Sequence, residues 1–180
     1  MPTSRPEIIP AVVNTVMKLS PKSILELGIG FGKYGYLFRE YLEVWPSSDN
    51  PSRVNEKNWE IIIDGIEIHS LYLSEFHHTI YDKIIIGDCR VEIDSAGQYD
   101  LIFMGDMIEH MPKEDGFKLL DKCLKHAKNI LVTTPNYFNK QGSEFGNEHE
   151  RHHCSWTVTD FAKYNAKVDV INGKYIVALI

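Results

Sequence analysis

Ser23-Ile24-Leu25-Glu26-Leu27-Gly28-Ile29-Gly30-Phe31-Gly32-Lys33-Tyr34-Gly35 is the stretch whose reading decides the fold. Ile24, Leu25 and Leu27 make an apolar run too short for a helix, and the glycines at 28, 30 and 32 mark a tight turn directly after it. From Lys33 to Leu42, Tyr34, Leu37, Phe38 and Tyr41 share one helical face. The stretch reads as strand, glycine turn, helix. Glycines let the backbone approach a ligand closely, and the helix N-terminus behind them offers free N–H groups, which together describe a nucleotide-type site.

Two registers compete for that turn. Gly30-Phe31-Gly32-Lys33-Tyr34-Gly35 fits G-x-G-x-x-G, the dinucleotide fingerprint, in which the backbone receives a pyrophosphate. The other register, Glu26-x-Gly28-x-Gly30-x-Gly32, places an acid inside the end of the strand, where a pyrophosphate meets repulsion and a cationic ligand does not. This second register resembles motif I of the class I S-adenosylmethionine-dependent methyltransferases. In that family the acid lies close to the amino acid moiety of the cofactor, so the resemblance implies that Glu26, Gly28, Ile29, Gly30 and Gly32 cradle the methionine end.

Outward from this centre, apolar residues at helical spacing after Pro6 predict a first helix that ends near Ser20 and Pro21. Residues 43–58 are polar and proline-containing and read as a long loop, an insertion expected at the end of the sheet away from the glycine turn. Residues 59–68 predict a second strand ending at Glu67 and Ile68; an acid there grips ribose hydroxyls in nucleotide sites. A helix is expected over 71–81 and a third strand over 83–86, leading to Asp88 and Cys89. By the resemblance, Asp88 meets the adenine amino group.

Residues 99–110, Tyr99-Asp100-Leu101-Ile102-Phe103-Met104-Gly105-Asp106-Met107-Ile108-Glu109-His110, predict a buried fourth strand that brings Asp106 and Met107 to the ligand edge. The run Asp106-Met107-Ile108-Glu109-His110 resembles the same place in O-methyltransferases of the ubiquinone-biosynthesis type, and on that basis Asp106 lines the sulfonium side. His110 is the first choice for a general base or an acceptor contact, because imidazole titrates near neutrality. An amphipathic helix over 113–128, a fifth strand over 130–134 ending at Pro135 and Asn136, a short helix over 157–164 capped by Thr157, and a hairpin over 168–180 turning at Asn172 and Gly173 complete the chain. An antiparallel hairpin at the end of a parallel sheet distinguishes the methyltransferase fold from the plain dinucleotide-binding one, and the resemblance extends over nearly the whole chain.

Residues 137–156 form a long polar stretch leaving strand five at the glycine-turn edge, as a lid would. Its pattern is similar to a loop of small-molecule methyltransferases that lies over the acceptor, which implies substrate contacts from His149, His152 and Trp156, with Asn136 beside them; a solvated loop anchored by Trp156 is the plain alternative. His149-Glu150-Arg151-His152-His153 also spells H-E-x-x-H, but zinc hydrolysis needs that motif on a stable helix with a third ligand, and the flanking Gly146, Asn147 and Ser155 leave only a short helical window. No metal ligand set is assigned from the sequence.

The 180 residues suit one domain, and a net charge of −6 argues against a nucleic-acid footprint, which wants a basic face. Gly105-Asp106-Met107 also lacks the Pro-Pro-aromatic or Pro-Cys marks of DNA methyltransferases at strand four. Three cysteines, an odd number without C-x-x-C spacing, suit a reduced cytoplasmic chain; the N-terminus has no signal-peptide order, and no apolar run approaches the ~18 residues of a membrane span. The expectation is a doubly wound, Rossmann-like α/β domain with a mixed seven-stranded sheet, using S-adenosylmethionine to methylate a small-molecule acceptor at a hydroxyl, with a homodimer left open. The alternatives are a non-catalytic S-adenosylmethionine-binding module and an NAD-dependent oxidoreductase.

Overall fold

In the computed structural model, which describes residues 4–47 and 49–180, a seven-stranded sheet runs in the order β3-β2-β1-β4-β5-β7-β6. Met1, Pro2 and Thr3 of the N-terminal stretch and Ser48 of the polar insertion lie outside the described residues. The strands are β1 (Ser23–Leu27), β2 (Ile62–Glu67), β3 (Lys83–Ile86), β4 (Tyr99–Gly105), β5 (Ala127–Pro135), β6 (Lys167–Ile171) and β7 (Tyr175–Leu179). The first five are parallel, and the β6–β7 hairpin adds antiparallel through β7 to β5. Asn172 and Gly173 turn the hairpin with φ of 52° and 68°, the positive pair that a two-residue turn of this hand requires.

Period-two side chains divide the core between the two faces. Ile24, Ile63, Leu101, Phe103, Leu131 and Val177 face the layer holding α1 (Ile9–Leu19) and α2 (Lys33–Arg39), where Val12, Val16, Tyr34 and Phe38 meet them. Leu25, Leu27, Ile102, Met104, Ile130 and Val132 face the opposite layer, in which α5 (Lys113–Cys123) packs with Trp156 and Phe161. Both faces are covered, so the central strands read as continuous apolar runs. β1 lies between β2 and β4, so the crossovers from it diverge and open a crevice beyond its C-terminal end.

Several boundaries differ from the sequence expectation. The expected helix over 71–81 is a 3-10 turn, Ser70–Tyr72, followed by a shorter α3 (Glu75–Ile80) with a capping box between Ser74 and His77. The helix expected to reach 128 stops at Cys123, and Ala127, inside that expected range, belongs to β5, where it pairs with Tyr99. The second strand begins at Ile62 rather than 59, and a one-turn α4 (Cys89–Glu92) follows Asp88, whose side chain caps Arg90 N. Thr157 caps the Val158–Tyr164 segment as expected, although that segment is 3-10 throughout.

The polar insertion is not a structureless loop. It continues α2 as a π-helical segment, Glu40–Val44, then makes 3-10 turns at Trp45–Ser47, Pro51–Val54 and Glu56–Asn58. Buried charges hold it: Arg39 donates to Ile80 O and to Asp82 at 2.8 Å and lies 4.7 Å over the Trp59 ring, while buried Glu43 accepts from Glu60 N and from Arg53. These groups gather where β2 begins, at the edge away from the glycine turn, as the sequence implied.

Candidate functional site

The turn after β1 is built on three left-handed glycines, with φ of 76° at Gly28, 53° at Gly30 and 77° at Gly32. Side-chained residues reach such values only with strain, and a Cβ at Gly28 would lie 2.8 Å from Met107 Cγ. The turn is clamped at its middle: Gly30 N donates to Glu67 Oε2 at 2.9 Å, and Gly30 O faces His77 Nε2 at 3.1 Å. Glu67 Oε1 also accepts from His69 N at 2.8 Å.

A cavity opens over this turn at the C-terminal edge of the sheet, enclosing about 930 Å³ when its open mouth is counted. That is the size of a small-molecule site. Its wall includes Glu26, Gly28, Ile29, Gly30, Glu67, Ile68, Asp88, Cys89, Asp106, Met107, His110 and His149, all of which sequence reasoning had named. Gly32 shapes the turn as N-cap of α2 and does not line the cavity. The wall also holds residues that reasoning had missed, among them Phe31, Lys33, Tyr72, Arg90, Asn147 and Glu150. Phe31 and Asn147 stood beside named motif positions; Tyr72 gave no local signal because tertiary packing against Phe31 brings it to the wall.

Three expected substrate residues stand elsewhere. Trp156 is fully buried, packed between Phe117 and Phe161 with Gly116 beneath it, so it anchors the core and does not line this cavity. Asn136 donates its backbone N–H to Lys174 O in the hairpin region and does not reach the wall. His152 is off the wall as well, its ring edge-on to His110 with centroids 4.7 Å apart.

Electrostatics differ sharply along the wall. Burial, with a smaller contribution from Glu67, lifts Glu26 to about 8 against the opposing hydrogen bond from Tyr81 Oη at 2.8 Å, so its carboxyl is largely neutral at pH 7. Burial also raises Asp106, which accepts from Thr133 Oγ1 at 2.9 Å and sits at φ 50°. Asp88 is held low chiefly by Arg90, whose Nη2 lies 2.6 Å away, so this expected adenine-contacting carboxylate already carries a partner. Burial and then neighbouring His152 lower His110 to about 4. Its imidazole is therefore neutral at pH 7.

The covering segment 137–156 is tied down at several points. Tyr72 Oη donates to Glu150 Oε1 at 3.1 Å and accepts from Asn147 Nδ2 at 3.2 Å, and Phe31 packs edge-on against both Tyr72 and Phe145. At the other side His153 N donates to Glu109 O at 2.9 Å. The H-E-x-x-H run is thereby split: only Glu148–Glu150 is helical, as a single 3-10 turn, and of its two histidines His149 lines the cavity while His153 lies off the wall, its backbone bonded to Glu109.

No protein-family model matches this sequence, and no curated protein does. Solved structures do match. The chain is similar to an O-methyltransferase family protein from Burkholderia thailandensis, with a TM-score of 0.61 and 10% identity over 94% of this chain and 55% of that one. It is similar to the N-terminal domain of EvdMO1 with SAH bound, with a TM-score of 0.65 and 12% identity over 98% of this chain and 80% of that one. A protein from Pyrococcus horikoshii OT3 matches with a TM-score of 0.64 and 13% identity over 96% and 87% of the two chains. The chain spans 55% of the first of these structures, little more than half its length.

Proposed function

On the class I methyltransferase fold that this chain has, we propose that the cavity binds S-adenosylmethionine and that the chain transfers its methyl group to a small-molecule hydroxyl. The observation that carries this reading is the Gly28, Gly30 and Gly32 turn, whose left-handed backbone and lack of side chains leave a cradle between buried Glu26 and Glu67. A Cβ at Gly28 would crowd Met107 on that wall, and Glu26 can give up its proton to face a cationic amino acid end, so the residues present fit this cofactor. When bound, S-adenosylmethionine supplies an electrophilic methyl group on a sulfonium.

In this reading the glycine turn and Glu26 hold the methionine end. Glu67 takes the ribose hydroxyls with lone pairs left over from Gly30 N and His69 N, Asp88 and Cys89 border the adenine, and Asp106 and Met107 border the sulfonium. His110 and His149 stand on the acceptor side, and the covering segment with Tyr72 and Phe31 keeps water away from the reacting centre. Methyl transfer is a displacement in line, so alignment and water exclusion are the main contributions asked of these residues. Solved structures of the same fold with SAH bound support the reading.

Isothermal titration of the chain with S-adenosylmethionine, S-adenosylhomocysteine and NAD separately tests it. One equivalent of each of the first two, with no heat from NAD, is expected. Binding of NAD alone overturns the reading in favour of the dinucleotide register. A screen of hydroxyl-bearing small molecules for release of S-adenosylhomocysteine then separates an enzyme from a cofactor-binding module.

A further inference from the structure

Beside the cavity, three metal-ligating side chains converge that are spread over more than forty positions of sequence. Glu109 and His110 end the 3-10 turn Ile108–His110 directly after β4, and His152 comes from the covering segment; one donor atom from each lies within 4.8 Å of the others. Glu109 is only 2% exposed and its Oε2 accepts from Thr134 Oγ1 at 2.9 Å, yet no lysine or arginine pairs with it among the described residues. A buried carboxylate without a cationic partner is costly. His110 Nδ1 is buried beside it with no hydrogen-bond partner among the described residues, which is costly again.

One ligand relieves both costs. We propose that Glu109, His110 and His152 bind a divalent transition-metal ion of the zinc, manganese or cobalt type. Two imidazoles and one carboxylate are the donor set such borderline ions take, whereas magnesium and calcium favour oxygen alone. Donors within 4.8 Å of one another need only small side-chain movement to reach the ~2.0–2.2 Å of a common ion. Thr134 orients the carboxylate from behind, and the hydrogen bond from His153 N to Glu109 O fixes the segment carrying His152 against the turn carrying the other two ligands.

Three protein ligands leave at least one coordination position open, as in catalytic rather than structural sites. Because His110 itself lines the cavity near Asp106 and Met107, that position faces the acceptor side, and an acceptor oxygen there would be polarised by the ion. This last role rests on the methyltransfer reading of the cavity; the ion site rests on its donors alone.

Cobalt(II) titration of the chelator-treated full chain, followed by its visible absorption, tests the site. One saturable equivalent displaced by zinc is expected. Affinity should fall about tenfold or more in His152→Ala and in Glu109→Gln, and should be unchanged in His153→Ala. His152 lies on a covering segment, so His152→Ala tests the site even if Glu109→Gln fails to fold. No saturable cobalt site, or a site weakened by His153→Ala and not by His152→Ala, overturns the proposal. S-adenosylhomocysteine titrated into the same samples keeps the two readings apart: cobalt binding without it removes only the methyltransfer reading, and its binding without a cobalt site removes only the ion.

Discussion

His77 donates its Nε2 proton to the carbonyl oxygen of Gly30 at 3.1 Å from a different element of the chain, α3. The direction follows from the other side of the ring, where Ser74 N donates to Nδ1 at 3.1 Å and leaves the proton on Nε2. With Glu67 on the amide and His77 on the carbonyl, the peptide groups of the turn are oriented before any ligand arrives.

His77→Phe keeps a ring in place and removes both hydrogen bonds. It should lower stability by about 1–3 kcal/mol, since buried partners are left unpaired. It should also weaken S-adenosylhomocysteine binding about five- to tenfold by titration calorimetry. Unchanged affinity in a folded variant would show that the turn needs no such clamp.

Glu26 carries a pH signature. Its folded pKa of about 8 lies above the ordinary 4.5, so the folded chain holds a proton there that the unfolded chain has lost. Stability from this group is fully present below pH 4.5 and is lost as pH rises through 8. Urea unfolding across that window should show a slope of order 1 kcal/mol per pH unit that Glu26→Gln removes. If an ammonium group docks against Glu26, binding at pH 7 should release a proton, visible as a dependence of binding heat on the buffer's ionisation heat; no such dependence would place the amino acid end elsewhere.

Tyr72→Phe tests the latch over the cavity. The ring stays against Phe31 and His69, but the bonds to Glu150 and Asn147 are lost. Faster hydrogen exchange over residues 144–151 is expected, with stability reduced by about 1 kcal/mol. Exchange rates equal to the parent's would mean that the segment is held without Tyr72.

Trp156→Ala should cost about 3–5 kcal/mol, the range for emptying a fully buried aromatic site. Denaturant unfolding measures it. A loss under 1 kcal/mol would contradict core packing, while the milder Trp156→Phe should keep cofactor affinity near the parent's, as a residue off the cavity wall must.

Much of this architecture was legible along the chain because it is written in local terms. The apolar run before Gly28 reads as a strand, three alternating glycines as a left-handed turn, and Asn172 and Gly173 as a hairpin, each resting on dihedral preferences within a few residues. Acids placed at strand ends, Glu67 and Asp106, fall on one edge because parallel strands all finish there. The missed boundaries came from competition that local pattern does not register: Ala127 suits a helix face but is taken by pairing with Tyr99.

What the sequence by itself determined is therefore the strand–turn–helix centre, the order of elements and the edge on which the site lies. Only the tertiary structure decided which side chains meet there. Trp156 and His152 are four positions apart in one polar stretch and read alike as site residues, yet packing against Phe117 and Phe161 draws one into the core while the other comes to rest on His110. His77, Glu109 and Tyr72 are in the same position. Their contacts span distances in sequence over which periodicity and propensity carry no information, and they are set by how the two layers and the covering segment close on the sheet.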